Sequence, residues 1–219
     1  MIITIDGPAG VGKSTVARKL AIRLGFRHLD TGAMYRAVAM AGIRCGVDWD
    51  RPDDLVRIAH RIKIEFVEGR VFLDGEDVTE TLRSEQVTGV TKYAADNPQI
   101  RQRLVELQRE IAERRDIVTE GRDQGSVVFP GADCKIFLTA SEEERAKRRL
   151  GDMLNRGQIV TFDEVLAEQQ LRDGRDSSRS VGPLVRPDGA VEVCTDGMSV
   201  DEVVDRLASM ACGDEARNV

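Results

Sequence analysis

The sequence predicts an α/β protein: a three-layer fold with a five-stranded parallel sheet flanked by helices, plus a small antiparallel β-insertion. Three observations predict it. Short apolar segments alternate with helix-length stretches, the first segment runs straight into a glycine-rich loop, and one β-patterned region interrupts the alternation.

The strands come first. Ile2–Asp6 is β-branched, Arg27–Leu29 is short, and Ile117–Thr119, Lys135–Leu138 and Val191–Cys194 complete the set. Helices are expected over Ser14–Leu24, near Thr31–Ala41 and from Pro98 to Arg115. Three more helix starts carry Ser or Thr followed three residues later by Glu, the capping-box pattern: Ser141…Glu144, Thr161…Glu164 and Ser199…Glu202. The interruption lies at Ile62–Val67 and Arg70–Leu73, separated by Glu68-Gly69, which reads as an antiparallel hairpin with a further turn over Asp74–Val78. The polar tail Gly213–Val219 is expected to fray.

Composition narrows the function classes. A chain of 219 residues, 41% hydrophobic and 32% charged, holds one sizeable α/β domain, so 1–219 is read as a single domain. No apolar run is long enough to span a bilayer. The opening MIITIDGPAG lacks a basic region and enters a strand at once, unlike a secretion signal. The cysteines Cys45, Cys134, Cys194 and Cys212 are scattered, which disfavours disulfides and a zinc cage and fits a reducing cytoplasm. A net charge of −6 gives no basic field for a nucleic-acid polymer, although a small phosphorylated ligand needs only local arginines. His28 and His60 read as surface or packing residues.

Gly7-Pro8-Ala9-Gly10-Val11-Gly12-Lys13-Ser14, followed by Thr15, matches GxxxxGK[ST] between a strand and a helix. The glycines turn backbone N–H groups inward around phosphates, and the helix N-terminus adds its positive end. Lys13 is placed for the β- and γ-phosphates of ATP, and the Ser14 hydroxyl for Mg²⁺. The fold class is therefore a P-loop fold of the kinase kind, but a P-loop alone does not name the reaction.

Three further segments bear on the acceptor: Asp30–Arg36 after the second strand, Glu120–Gly125 at the carboxyl edge of the third, and the alternating run Arg172–Arg179. Taken singly, Arg36 and the Arg172–Arg179 run also read as solvated helix faces. Together with IDGPAGVGKST, LDTGAMYR, EGRDQGSVVFP, KIFLTAS and RDGRDSSR, they make the chain resemble the bacterial cytidylate kinases over nearly its whole length. The resemblance implies ATP and Mg²⁺ as cofactors, CMP and dCMP as acceptors, and a monomer with no membrane partner. It also implies an acceptor region over about 31–100, containing the β-insertion. Thr31, Tyr35 and Arg36 match acceptor-site residues, with Arg36 on the monophosphate. Arg122 and Asp123 match a phosphate-binding arginine and a base-reading aspartate. Arg172, Asp176 and Arg179 match a run contacting sugar and phosphate, Arg101 an arginine that reads cytosine, and Thr91 a neighbouring serine. The chain departs from the family in Gln124, where an apolar residue is usual, and in a segment Thr91–Ile100 one residue longer.

The second pKa of a monophosphate is about 6, so the acceptor is largely dianionic near neutrality and needs no general base. Catalysis then rests on alignment and charge neutralisation by Lys13, Arg122, Arg179 and Mg²⁺. A short lid over about 145–165 is expected to exclude water, with Arg148 and Arg149 either contributing from it or forming a solvated face. Asp123 accepts from the cytosine amino group and meets the uracil O4 unfavourably, which gives base choice a mechanism. Two alternatives stay open: another P-loop small-molecule kinase, acting on UMP/CMP or dephospho-coenzyme A, and a non-catalytic ATP-dependent module.

Overall fold

The computed structural model describes residues 1–67, 69–155 and 157–213. In chain order the elements are β1 (Ile2–Asp6), α1 (Lys13–Leu24), β2 (Arg27–Asp30), α2 (Thr31–Arg44), α3 (Pro52–Arg61), β3 (Ile64–Val67), β4 (Arg70–Leu73) and β5 (Glu76–Asp77). Then follow α4 (Glu85–Ala95), α5 (Pro98–Ala112), β6 (Ile117–Glu120), β7 (Cys134–Thr139), α6 (Glu142–Asn155), α7 (Phe162–Ser178), β8 (Val191–Cys194) and α8 (Val200–Ala211). By their contacts these residues form two compact units, Met1–His28 with Arg114–Val219, and Leu29–Glu113.

The main sheet has the order β2-β6-β1-β7-β8, with parallel pairing of β1 to β6 and β7, and of β7 to β8. A parallel strand covered on both faces reads as an unbroken apolar run rather than an alternating one. β6 is covered in this way along all four residues but ends on two polar ones, Thr119 and Glu120. The core of the first unit gathers Ile3 and Ile5 of β1, Val16 and Leu20 of α1, Ile136 and Leu138 of β7, and Val203 and Leu207 of α8. Each such side chain contributes about 1.5–3 kcal/mol when fully buried.

In the second unit, α2 is buried along most of its length, from Thr31 to Gly42, and packs against α3, α4 and α5. Beside these helices lies the antiparallel sheet β3-β4-β5. Its second turn is a two-residue loop, Asp74-Gly75, with both residues at positive φ (52° and 84°). That is the conformation whose twist suits a hairpin, and Asp-Gly is its usual sequence.

Several boundaries differ from the sequence expectation, each for a local reason. The hairpin begins at Ile64 rather than Ile62, because the Ile62 N–H closes the last turn of α3 on the Ile58 carbonyl at 3.1 Å. α5 ends at Ala112 rather than Arg115, since Arg114 adopts a left-handed conformation (φ 53°). Of the three capping boxes, those at Thr161 and Ser199 are complete. At Ser141 only half forms: its hydroxyl accepts from the Glu144 N–H, but its own N–H donates to Asp196 while Glu144 pairs with Arg148. The helices α3 and α4 carry no expectation from the sequence. The expected tail beyond Gly213, Glu68 of the hairpin turn and Arg156 of the expected lid lie outside the described residues.

Candidate active site

The phosphate-binding loop leaves the carboxyl end of β1. Gly7 is required there: it sits at φ 146°, and a Cβ would fall 2.2 Å from the Leu138 carbonyl oxygen of the neighbouring strand β7. α1 then starts at Lys13, whose ammonium lies 95% out of solvent and donates to the Pro8 carbonyl at 2.5 Å, bridging the loop. Burial pushes this ammonium well below the usual lysine range. Arg122 and Arg172 push the same way, while Glu120 and Asp6 oppose them. A bound polyphosphate would favour the charged ammonium.

Ser14, expected to meet Mg²⁺, donates its hydroxyl to Glu120 Oε1 at 2.7 Å. Glu120 was absent from the sequence-derived set. Register explains the contact: Ile5 of β1 pairs with Glu120, and the Gly121 N–H donates to the Ile5 carbonyl at 3.1 Å. The two loops therefore leave adjacent strands side by side. An acidic residue ending the strand just before Gly-Arg-Asp was the available signal.

The loop after β6 is braced by Asp6, which is fully buried and accepts the Gln124 and Gly125 N–H groups at 2.8 and 2.7 Å. Burial raises its carboxyl to about 6, although the two hydrogen bonds and Lys13 pull it down. Gln124, unusual in the resemblance, is itself buried and accepts from the Thr119 hydroxyl at 2.8 Å. A turn of π-helix follows over Gln124–Val128, and Asp123, 4% exposed, precedes it.

Arg172, Asp176 and Arg179 fall at i, i+4 and i+7 along α7 and its C-terminal cap, so they share a face. Arg122 Nε meets Asp176 at 2.8 Å and Arg179 meets it at 2.6 Å. Burial alone would raise the Asp176 carboxyl, but Arg122, Arg179 and Arg172 together outweigh it and hold it below the ordinary value. In the first unit, then, Lys13, Ser14, Arg122, Arg172, Asp176 and Arg179 come together. Arg148 does not join them: it binds Glu144 and the hydroxyl and carbonyl of Thr195.

The second unit holds the remaining candidates. Asp30 caps α2 through the Ala33 N–H at 2.8 Å and pairs with Arg36 at 3.3 Å, with Arg83 at 3.7 Å. Arg36 Nε is buried without a hydrogen-bond partner among the described residues. Arg101 is 3% exposed; its Nη1 donates to the Ala95 carbonyl at 2.9 Å, and its guanidinium lies 5.3 Å from the centre of the Tyr35 ring. Thr31 is buried at the start of α2. The Thr91 hydroxyl donates back to the Val87 carbonyl at 2.7 Å, within its own helix.

Among the described residues no cluster of three or more His, Cys, Asp or Glu side chains could hold a metal alone, and no helix is long and apolar enough to cross a membrane. Fold, loop and buried cations define a P-loop protein of the kinase class.

The cytidylate kinase family model matches residues 3–212. A cytidylate kinase of Rhodopirellula baltica is 52% identical over 203 residues, covering 93% of this chain and 89% of that protein. One of Caldanaerobacter subterraneus subsp. tengcongensis is 46% identical, covering 94% and 92%. Among solved structures, a shikimate kinase of Bacteroides thetaiotaomicron is similar with a TM-score of 0.50 at 12% identity, covering 96% of this chain and 97% of that one; at that identity the likeness speaks for the fold alone. The chain belongs to the cytidylate kinase family.

Proposed function

We propose that this protein transfers the γ-phosphoryl group of ATP to CMP and dCMP, giving CDP and dCDP. The observation that carries the reading is the phosphate-binding loop with its buried Lys13 bonded to Pro8, near Arg122 and Arg172, in a chain of this family. Gly7 to Thr15 cradle the donor phosphates, the loop's backbone N–H groups after Ala9 donating to them, with Lys13 neutralising charge as the phosphoryl group moves.

The oxygens of Ser14 and Glu120 fit Mg²⁺, which prefers hard ligands and keeps several waters and phosphate oxygens rather than an all-protein cage. Because the Ser14 hydroxyl points its hydrogen at Glu120, its lone pairs are left for the cation. Bound there, Mg²⁺ neutralises phosphate charge.

Arg36, Arg122, Arg172 and Arg179 serve the phosphates, Asp176 holds Arg122 and Arg179 in place, and Thr31, Tyr35, Thr91, Arg101 and Asp123 bind and read the acceptor nucleoside. No general base is required, since the monophosphate is already anionic near neutrality. The region of about 145–165 acts as a short lid, and the chain works as a cytoplasmic monomer without a nucleic-acid polymer or membrane as partner.

The test is ³¹P NMR of a mixture with ATP, Mg²⁺ and CMP. The reading expects the ATP γ resonance to be replaced by those of ADP and CDP, with no reaction when Mg²⁺ is chelated. ADP and free phosphate without CDP would overturn it.

A further inference from the structure

Ala9, at the tip of the phosphate-binding loop, is gripped through both of its backbone groups. Its carbonyl accepts from Arg145 Nη1 at 3.0 Å, and its N–H donates to Asp173 Oδ1 at 3.4 Å. The same Nη1 donates to Asp173 Oδ2 at 2.5 Å, which closes a ring around one residue. Arg145 lies in the first turns of α6 and Asp173 in α7, and their side chains are 5% and 20% exposed. Arg145 Nε also donates to the Ala140 carbonyl at 3.3 Å, at the end of β7. α7 is stitched to α6 by Gln169 on the Glu142 carbonyl and Gln170 on the Glu142 carboxylate, at 3.1 and 2.8 Å. Gly10, at φ 83°, leaves no room beside this grip: a Cβ there would come within 3.1 Å of Arg145 Cβ.

We propose that Arg145 and Asp173 form a positioning pair for the donor nucleotide. They touch no reacting atom. Acting through Ala9, they fix the tip of the loop in the shape that presents its N–H groups to a polyphosphate. Charge assigns the two members unequal parts. Asp173 is an anion against a loop that must bind anions, and Arg145 neutralises it while also holding the Ala9 carbonyl. Without Arg145, the tip is loose and an uncompensated carboxylate faces the incoming phosphates. Without both, only the looseness remains. A merely structural pair carries no such sign.

The proposal rests on the kinase reading for its ligand, so the test reads binding rather than turnover. Titration calorimetry would measure ATP–Mg²⁺ and CMP separately against the parent, Arg145→Ala, Arg145→Lys, Asp173→Ala and the double variant, with thermal midpoints recorded for each. Arg145→Ala is expected to weaken ATP about tenfold and leave CMP within about twofold. Asp173→Ala added to it should recover part of that loss, because the stranded carboxylate is gone. Arg145→Lys keeps the charge but cannot hold Ala9, Ala140 and Asp173 at once, so it should weaken ATP about threefold with an unchanged midpoint, and it stands in if Arg145→Ala does not fold. Unchanged ATP affinity in a folded Arg145 variant, equal losses for ATP and CMP, or a double variant weaker than Arg145→Ala would overturn the pair's role. A parent that binds ATP but not CMP would instead contradict the acceptor reading and leave the ATP comparison standing.

Discussion

The candidate residues of the two units are held in unlike ways. In the unit of Met1–His28 and Arg114–Val219, Lys13 bonds to Pro8, Ser14 to Glu120, Asp6 to Gln124 and Gly125, and Arg122 and Arg179 to a shared Asp176, mostly at 2.5–2.8 Å and out of solvent. In the unit of Leu29–Glu113, Arg36 reaches Asp30 only at 3.3–3.4 Å and keeps a buried Nε without a hydrogen bond, while Arg101 rests on the face of Tyr35. The lesson is one of preorganisation. The loop, its braces and the Asp176 cluster are paired before any ligand arrives, whereas Arg36 in the second unit keeps a donor in reserve among the described residues. Substitutions that strand a buried partner in the first group should therefore cost folding energy as well as chemistry, and those in the second should act chiefly on binding.

The largest effect is expected at Lys13. Lys13→Met should lower kcat by on the order of 10²–10³, the cost of losing a preorganised donor to developing charge. Its thermal midpoint should hold or rise, because a buried ammonium has been replaced by an apolar chain. A folded Lys13→Met enzyme with near-parental kcat would break the donor half of the comparison. Arg122→Ala strands the buried Asp176 carboxylate with one arginine fewer, and urea unfolding should report a loss of about 3 kcal/mol. Arg36→Ala is the counterpart on the acceptor side. Its long, mostly buried pair with Asp30 should cost about 1 kcal/mol of stability, while the KM for CMP rises about tenfold or more through a lost charged hydrogen bond. Equal stability losses at Arg122 and Arg36 would erase the distinction.

A further effect concerns pH. Asp6 has its folded carboxyl raised to about 6, above the unfolded value of 3.8, so its contribution to stability is full below the lower value and is lost as pH rises through the upper one. The parent's stability relative to Asp6→Asn should fall by roughly 3 kcal/mol between about pH 4 and pH 7. Parallel curves for the two proteins would show that Asp6 titrates normally.

Much of this arrangement was legible in the sequence because its causes are local. The loop Gly7–Ser14 carries its conformation in its glycines, and the boxes at Thr161 and Ser199 close within four residues. α3 also carried signals that could have found it: Pro52 at its first position, Asp53 and Asp54 in the first turn, and Leu55 and Ala59 on one face. α4 offered only the N-cap Ser84 and Glu85 in its first turn, since Gly89 and its β-branched residues favour helix weakly and packing against α2 holds it. The contacts that complete the site were hidden for another reason. Ser14 meets Glu120 across 106 positions of chain, and Arg145 meets Ala9 across 136. Such pairings follow from strand order and helix packing, which no local pattern encodes.

The most direct test of the account is the acceptor preference of the parent and of Asp123→Asn, measured as kcat/KM for CMP, dCMP, UMP and AMP with ATP–Mg²⁺. The account predicts CMP and dCMP well ahead of UMP and AMP in the parent. The CMP-to-UMP ratio should collapse by about tenfold or more in the variant, the cost of unpairing one buried polar group. A parent that prefers UMP or AMP, or a variant that keeps the parental ratio, would contradict it.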